Sequence, residues 1–239
     1  MNERKLLVIP SNLSSEFAAR SFSKDYQHEI FSLKHFVVEN ERSARRFLRQ
    51  LGYPGPISEL HFRTLNEHTT ADELNDLLNF IAQQDTGLLS EAGCPGVADP
   101  GADLIALAHS RCIQVIPLIG PSSILLALMA SGLNGQRFSF NGYLDRDKNR
   151  RKRQLQQFEK ESAKENRTQI FIEAPYRNKA LFNAICSTLH PGTVLTLACE
   201  LTSKKEWIKT KTIRDWRKCE PDIHKKNTVF LFLSRGFKN

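Results

Sequence analysis

The sequence lacks features that define several common classes of protein. It has no apolar run of the ~18–20 residues that a membrane-spanning helix requires. Its N-terminus lacks the long apolar core of a secretory signal, and Lys5–Ile9 instead predicts a first β-strand. No internal repeat is present. We therefore expect a cytoplasmic, globular protein with no membrane partner.

The five cysteines are odd in number and scattered along the chain. None forms a Cys-x-x-Cys pair or lies at zinc-ligand spacing from a histidine, so the sequence predicts neither a disulfide framework nor a metal site. Cys94 lies in a loop rich in glycine, but no histidine or aspartate stands beside it. A catalytic thiol is therefore not predicted.

The composition is that of a globular protein with a basic surface. The 239 residues fit one large domain or two of ordinary size, and 40% hydrophobic with 25% charged residues allow a sizeable core. The formal net charge of +8 favours a polyanionic partner such as nucleic acid. The alternative is a basic, solvated surface with no such partner.

One loop stands out, between an apolar strand ending at Leu89 and a helical pattern beginning at Ala102. Its residues Ser90–Gly101 include three glycines and two prolines, at Gly93, Gly96, Gly101, Pro95 and Pro100. Glycine permits close backbone approach and proline stiffens the loop. Ligands of open α/β sheets bind at the carboxyl ends of strands, so this loop predicts a binding site. An ordinary strand-to-helix connection is the alternative.

Alternating strands and helices up to Ser131 predict βαβ units and a mostly parallel sheet. This half includes a short apolar segment at 31–38. It also includes a helix, 124–130, that is apolar almost all round and is therefore expected to be buried. After Tyr143 the chain becomes highly charged, and strands and helices then resume. We predict an N-terminal α/β domain, residues 1–135, and a C-terminal α/β domain, residues 136–239.

Several motifs occur in a characteristic order along nearly the whole chain. They are Ser90–Pro95 with Asp99–Gly101, Ile119–Pro121, Ser131–Leu133, Phe138–Leu144, Glu173–Arg177 and Glu200–Thr202. Together they resemble the tetrapyrrole methylase family, the class III S-adenosylmethionine-dependent methyltransferases. Within it, they are most similar to the bacterial ribosomal RNA small-subunit (cytidine-2′-O)-methyltransferase I branch.

The resemblance implies two α/β domains with S-adenosylmethionine in the cleft between them, usually in a homodimer. Carried over by position, the donor-binding residues would be Pro10, Ala92, Gly93, Cys94, Ser122, Ser123, Glu173, Cys199, Glu200 and Leu201. A purine-bearing zwitterion requires backbone donors and acceptors, small residues and a helix start, which these segments contain.

The sequence also departs from the pattern of this branch. The Thr-Pro-Ile-Gly-Asn loop is replaced by Ile9–Leu13, Glu-Asp-Thr-Arg becomes Glu39–Arg42 with Asn40 in place of the acid, and Glu91 replaces an aspartate. Lys226-Asn227 stands where the branch has Gly-Glu. The donor segments persist while the others change, so the donor is better defined than the acceptor, and a divergent paralogue remains open.

Methyl transfer to a ribose hydroxyl needs alignment with the methyl group and a route for the proton. The acids nearest the motifs are Glu39, Glu91 and Asp99, although Asp99 is also typical of a turn before proline. RNA contacts are predicted for basic residues at Arg42, Lys148, Arg150, Arg151, Arg153 and Arg177. A solvated helix face is the alternative for 148–153, and bonding to a carbonyl the alternative for Arg177.

Three functions follow. The first is a methyltransferase that acts on a ribose 2′-hydroxyl of ribosomal RNA, on the small ribosomal subunit. The second is a methyltransferase of the same fold that acts on a small molecule such as a tetrapyrrole. The third is a paralogue that binds the donor or RNA without catalysis.

Overall fold

The computed structural model describes residues 4–14 and 23–234, which fall into two compact units that divide between Ser122 and Ser123. Each unit is built around its own five-stranded sheet. Within the described part of the chain, no helix is both long enough and apolar enough to cross a membrane.

The first unit contains a wholly parallel sheet, as the βαβ pattern predicts. Its strands lie in the order β3-β2-β4-β1-β5 and comprise β1 (Lys5–Ile9), β2 (His35–Val38), β3 (His61–Thr64), β4 (Thr86–Leu89) and β5 (Gln114–Pro117). The carboxyl ends of all five strands therefore lie at one edge. The loop that follows β4 is Ser90–Pro100, so the structure places it at this edge.

Helices cover both faces of this sheet. On one face lie α1 (Lys24–Phe31) and α2 (Glu41–Leu51), and on the other α3 (Ala71–Gln83) and α4 (Gly101–Ser110). Successive residues of β1 point to opposite faces, because side chains alternate along a strand. The adjacent strands β1 and β4 are followed by helices on opposite faces of the sheet, α1 and α4. Open α/β sheets bind ligands at the point where neighbouring strands connect to opposite faces.

The second unit contains a mixed sheet in the order β6-β7-β10-β8-β9. Its strands are β6 (Phe138–Tyr143), β7 (Thr168–Ile172), β8 (Val194–Cys199), β9 (Trp207–Thr212) and β10 (Thr228–Leu233). Only β6 and β7 pair in parallel, and the other neighbours are antiparallel. The ends of β7 and β8 and the start of β10 consequently lie at the same edge.

Helix α5 (Ser123–Ser131) covers one face of this second sheet. The other face packs against α6 (Lys148–Glu165), α7 (Asn178–Thr188) and the short α8 (Ile213–Trp216). Trp216 is buried there and donates a hydrogen bond from Nε1 to the Leu195 carbonyl (2.8 Å). This tryptophan is therefore a core residue.

Helix α5 corrects one sequence prediction and bears on another. The sequence predicted a fully buried helix, but Leu125 is 50% and Met129 80% exposed. Ile124, Ala127 and Leu128 pack against the second sheet, so the division between units falls before α5 and not at residue 135. Because the helix is apolar on every side, its sequence does not indicate which side meets a sheet.

Local pattern also misplaced two elements near the N-terminus. The segment 31–38, predicted as one short apolar segment, contains the last residue of α1 and then β2, which begins only at His35. Strand β3 was not predicted, because its four residues are mostly exposed and lack an apolar alternation. Its place at the edge of the sheet comes from pairing with β2.

Candidate functional site

The loops that follow β1 and β4 are joined by backbone hydrogen bonds at the carboxyl edge of the first sheet. The Ser11 N–H donates to the Gly93 carbonyl (2.7 Å), and the Gly93 N–H donates to the Ser11 carbonyl (3.1 Å). The Ser11 hydroxyl also donates to the Ser90 carbonyl (2.7 Å), and the Ser90 hydroxyl to the Gly93 carbonyl (2.9 Å). The first part of the glycine-rich loop is thus anchored to the end of β1.

The segment after β5 joins the same cluster. A Cβ at Gly120 would collide with Cβ of Pro10 and lie 2.7 Å from its Cγ, so only glycine allows this approach. The Cys94 thiol donates to the Pro121 carbonyl (3.5 Å). Burial, and next the charge of Asp99, raise the pKa of this thiol, which keeps it protonated and unsuited to nucleophilic attack.

Asp99 organises the second half of the loop. Its Oδ1 accepts hydrogen bonds from the backbone N–H groups of Gly96 (2.5 Å) and Gly101 (2.9 Å). Burial raises the pKa of this carboxyl, while the two hydrogen bonds oppose the shift. This geometry agrees with the turn role that the sequence left open beside a catalytic one.

We expect Asp99→Ala to lower the free energy of unfolding by about 1–3 kcal/mol, because it leaves two part-buried N–H groups without their acceptor. Asp99→Asn retains an oxygen acceptor and should cost clearly less. Chemical denaturation of both variants measures the difference. Equal destabilisation by the two substitutions would contradict this role.

Glu39 and Glu91, the other two candidate acids, are neighbours. Oε2 of Glu39 accepts a hydrogen bond from the Glu91 backbone N–H (2.9 Å), while the Glu91 side chain is exposed. Asn40, which replaces an acid of the family pattern, caps α2 by accepting from the Ser43 N–H (3.1 Å). The substitution at residue 40 therefore has a structural role of its own.

Asn12 is a site feature that the sequence analysis missed. Its Oδ1 is buried and has no hydrogen-bond partner among the residues that the structure describes. It follows Ser11 directly and so lies beside the anchored loop. A buried acceptor without a donor is costly, and a ligand that carries an amino group would satisfy it. In the sequence, its position directly after strand β1 is the signal that could have identified it as a site residue.

In the second unit, four of the predicted donor residues lie at one edge of the sheet, and the fifth, Ser123, is the first residue of α5. Glu173, buried after β7, accepts hydrogen bonds at Oε1 from the Ala174 N–H (2.8 Å) and from Nε (2.9 Å) and Nη2 of Arg177. Arg177 is thus held by a carboxylate, whereas the sequence predicted an RNA phosphate or a carbonyl partner. The pair fixes the turn after β7.

Three more predicted donor residues lie at the end of β8 and directly after it: Cys199, Glu200 and Leu201. Cys199 and Leu201 are buried, and Glu200 has a positive φ of 52°. Glu200 exchanges hydrogen bonds with Asn227, whose N–H donates to Oε1 (2.6 Å) and whose carbonyl accepts from the Glu200 N–H (2.8 Å). Asn227, where the branch has an acid, thereby ties this turn to β10.

The basic residues at 148–153 lie at the start of α6, which Asp147 caps, and all of them except the half-buried Arg151 are exposed. Arg150 pairs with Asp145 (3.6 Å), and Arg151 donates to two backbone carbonyls. Lys148 and Arg153 are exposed and have no ion-pair partner in the described ranges. The acids further along α6 bond to other residues, so they do not neutralise this cluster.

Two solved structures share this architecture. The crystal structure of the methyltransferase CobJ has a TM-score of 0.65 at 15% identity, covering 100% of this chain and 97% of that one. The crystal structure of diphthine synthase has a TM-score of 0.69 at 13% identity, covering 96% and 89%. Both have the tetrapyrrole methylase fold. The fold, with its loops at the carboxyl edge of the first sheet, is thus that of the tetrapyrrole methylases.

Curated relatives identify the branch. Ribosomal RNA small subunit methyltransferase I of Xylella fastidiosa is 31% identical over 211 residues, covering 88% of this chain and 74% of the relative. The protein of that name from Vibrio cholerae is 32% identical over 213 residues, covering 88% and 70%. The one from Synechocystis is 36% identical over 170 residues, covering 71% and 58%. The chain belongs to the ribosomal RNA small subunit methyltransferase I family.

These findings confirm the family, the fold and the methyl donor that the motifs predict. The chain spans between 58% and 74% of the length of these three relatives. No family model matches the chain.

Proposed function

We propose that this chain transfers a methyl group from S-adenosylmethionine to a ribose 2′-hydroxyl of ribosomal RNA in the small subunit. The observation that carries the proposal is the anchored loop Ser90–Gly101, which holds the family's motif at the carboxyl edge of a parallel sheet. The names of the relatives support ribosomal RNA as the acceptor.

In the first unit, Pro10, Ala92, Gly93 and Cys94 would hold the donor, with Ser122 following the Gly-Pro turn. The buried Oδ1 of Asn12, which has no hydrogen-bond partner within residues 4–14 and 23–234, fits a ligand that carries amino groups, as S-adenosylmethionine does. When bound, the donor supplies an electrophilic methyl group. For Ser123, Glu173, Cys199, Glu200 and Leu201, donor contact stays a prediction drawn from the resemblance.

Positioning of the ribose hydroxyl supplies much of the rate in such a reaction. The Asp99 carboxylate already accepts two backbone hydrogen bonds within its own loop. We therefore propose Glu39 and Glu91 as the acids that remove the proton or orient the acceptor. Glu91 belongs to the loop Ser90–Gly101, and Glu39 contacts the backbone of that loop. A carboxylate near the hydroxyl would contribute by general base catalysis.

We also propose that the start of α6 contacts RNA phosphate and that the protein forms a homodimer. The exposed Lys148 and Arg153 support the first proposal. The exposed apolar side chains of Leu125 and Met129, one turn apart on α5, support the second. A ribosomal acceptor implies action in the cytoplasm.

The test is transfer of a radiolabelled methyl group to small ribosomal subunits from cells that lack this protein. We expect the label in ribosomal RNA, at a ribose oxygen after nuclease digestion. Tetrapyrrole precursors, assayed in parallel, should remain unlabelled. Label in the tetrapyrrole alone would establish the small-molecule alternative, and donor binding without transfer to either acceptor would establish an inactive paralogue.

A further inference from the structure

Helix α2 presents a row of arginines to solvent, which we call the arginine ridge: Arg42, Arg46 and Arg49. All three are exposed, whereas Ala44, Phe47, Leu48 and Leu51 bury the opposite side of the helix. The spacing of four and then three residues places the ridge on one helix face. With Glu41 and Arg45, these side chains line a shallow surface concavity of about 500 Å³.

The charge of this face is not compensated within the described residues. The one acid of the helix, Glu41, is bound by Nε (2.9 Å) and Nη2 of Arg45. Arg45 also lies over the Phe62 ring and donates a hydrogen bond to the Ile57 carbonyl, so its side chain has a structural role. The three ridge arginines have no ion pair or side-chain hydrogen bond in the described ranges.

Such a row of like charges is unfavourable for the helix itself. Cations three and four residues apart repel each other, and Arg42 lies in the first turn, where the helix dipole opposes a positive charge. Neither local helix stability nor packing accounts for the ridge. An anionic partner would stabilise it, and guanidinium groups match phosphate oxygens in geometry as well as in charge.

The first residue of the ridge, Arg42, lies at the edge of the sheet that carries the proposed donor loop. Helix α2 starts at the carboxyl edge of the first sheet, directly after β2, and the Glu39 carboxylate there holds the Glu91 backbone. Arg42 follows Glu39 by less than one helical turn. An RNA strand that reached this edge would therefore meet the ridge.

We infer that the arginine ridge of α2 binds the phosphate backbone of the acceptor RNA, through Arg46 and Arg49 in addition to Arg42. This inference rests on the proposed function. It assigns RNA binding to a surface of the first unit, separate from the basic start of α6. Because phosphate contacts carry no base information, the ridge holds the RNA without selecting the nucleotide.

The test compares two double charge reversals in the full chain. Arg46→Glu with Arg49→Glu removes the ridge beyond Arg42. Lys34→Glu with Arg111→Glu makes the same change in net charge at exposed residues just before β2 and β5, at the opposite edge of the same sheet. Equilibrium binding of transcribed small-subunit ribosomal RNA is measured over a range of salt concentrations, and circular dichroism checks folding.

For the ridge variant we expect a Kd raised about tenfold or more, and a log–log salt slope smaller by about 1.4–1.8, the value for two lost phosphate contacts. The control should change the Kd by less than about threefold, and neither variant should alter S-adenosylmethionine binding. An unchanged slope in the ridge variant, or equal losses in both, would overturn the inference.

Methyl transfer separates this inference from the proposed function. If the wild type methylates small subunits and the ridge variant binds RNA as the wild type does, the inference fails and the proposed function stands. If RNA binding depends on the ridge but the wild type transfers no methyl group, the proposed function fails and the ridge stands as an RNA-binding surface.

Discussion

We expect Gly93→Arg to abolish S-adenosylmethionine binding, with affinity reduced at least ~100-fold in isothermal titration calorimetry. Gly93 has a φ of 77°, and a Cβ there would lie 3.4 Å from Leu13 and 3.8 Å from the Pro121 carbonyl. There is room for the Cβ, but a guanidinium on a long stem must extend from the loop into the space proposed for the donor. The variant therefore competes directly with the ligand.

Gly52→Arg is the matched control for this experiment. Gly52 has a φ of 88°, and a Cβ at this residue would have no neighbour within 4 Å. Both substitutions therefore place an arginine in left-handed backbone, at a similar cost of about 1–2 kcal/mol, but only one of them lies at the donor loop. Donor binding should persist in Gly52→Arg. Normal binding by Gly93→Arg would contradict the proposed site.

We expect Gly120→Ala to lower the free energy of unfolding by about 1–3 kcal/mol and to weaken donor binding at the same time. The added Cβ would collide with Cβ of Pro10 and lie 2.7 Å from its Cγ. Overpacking of this size forces a backbone shift, because the proline ring cannot rotate away. The shift would separate the turn after β5 from the end of β1.

Gly135→Ala tests whether this effect is specific. Nothing lies within 4 Å of a Cβ at Gly135, and its φ is outside the left-handed region. We expect nearly unchanged thermal unfolding and donor affinity for this control. If Gly120→Ala unfolds at the wild-type temperature and binds the donor normally, the close approach of these two loops is not needed for the site.

Much of the fold could be predicted from sequence because its segments carry strong local signals. The structure confirms the final strand, Thr228–Leu233, and the short helix Ile213–Trp216 at the predicted bounds. Helix α3 begins after Thr70, whose hydroxyl forms a capping box with Glu73. These features depend on residues close together in the chain, so a local pattern suffices.

Only part of the candidate site could be predicted from local sequence patterns. The glycines and prolines of Ser90–Gly101 marked the loop, but its partner Ser11 was not predicted, because the hydrogen bonds join residues far apart in sequence. The burial of Asn12 Oδ1 also exists only after folding, because it depends on which residues surround the side chain.

The sequence by itself determined the alternation of strands and helices, the family motifs and the excess of basic residues. Tertiary structure decided that α5 belongs to the second unit and exposes Leu125 and Met129, because only packing selects one side of a uniformly apolar helix. It also decided that Asp99 binds its own loop and that three arginines of α2 form one exposed face. Charge and burial depend on which residues lie nearby in space, and these neighbours are set by the fold.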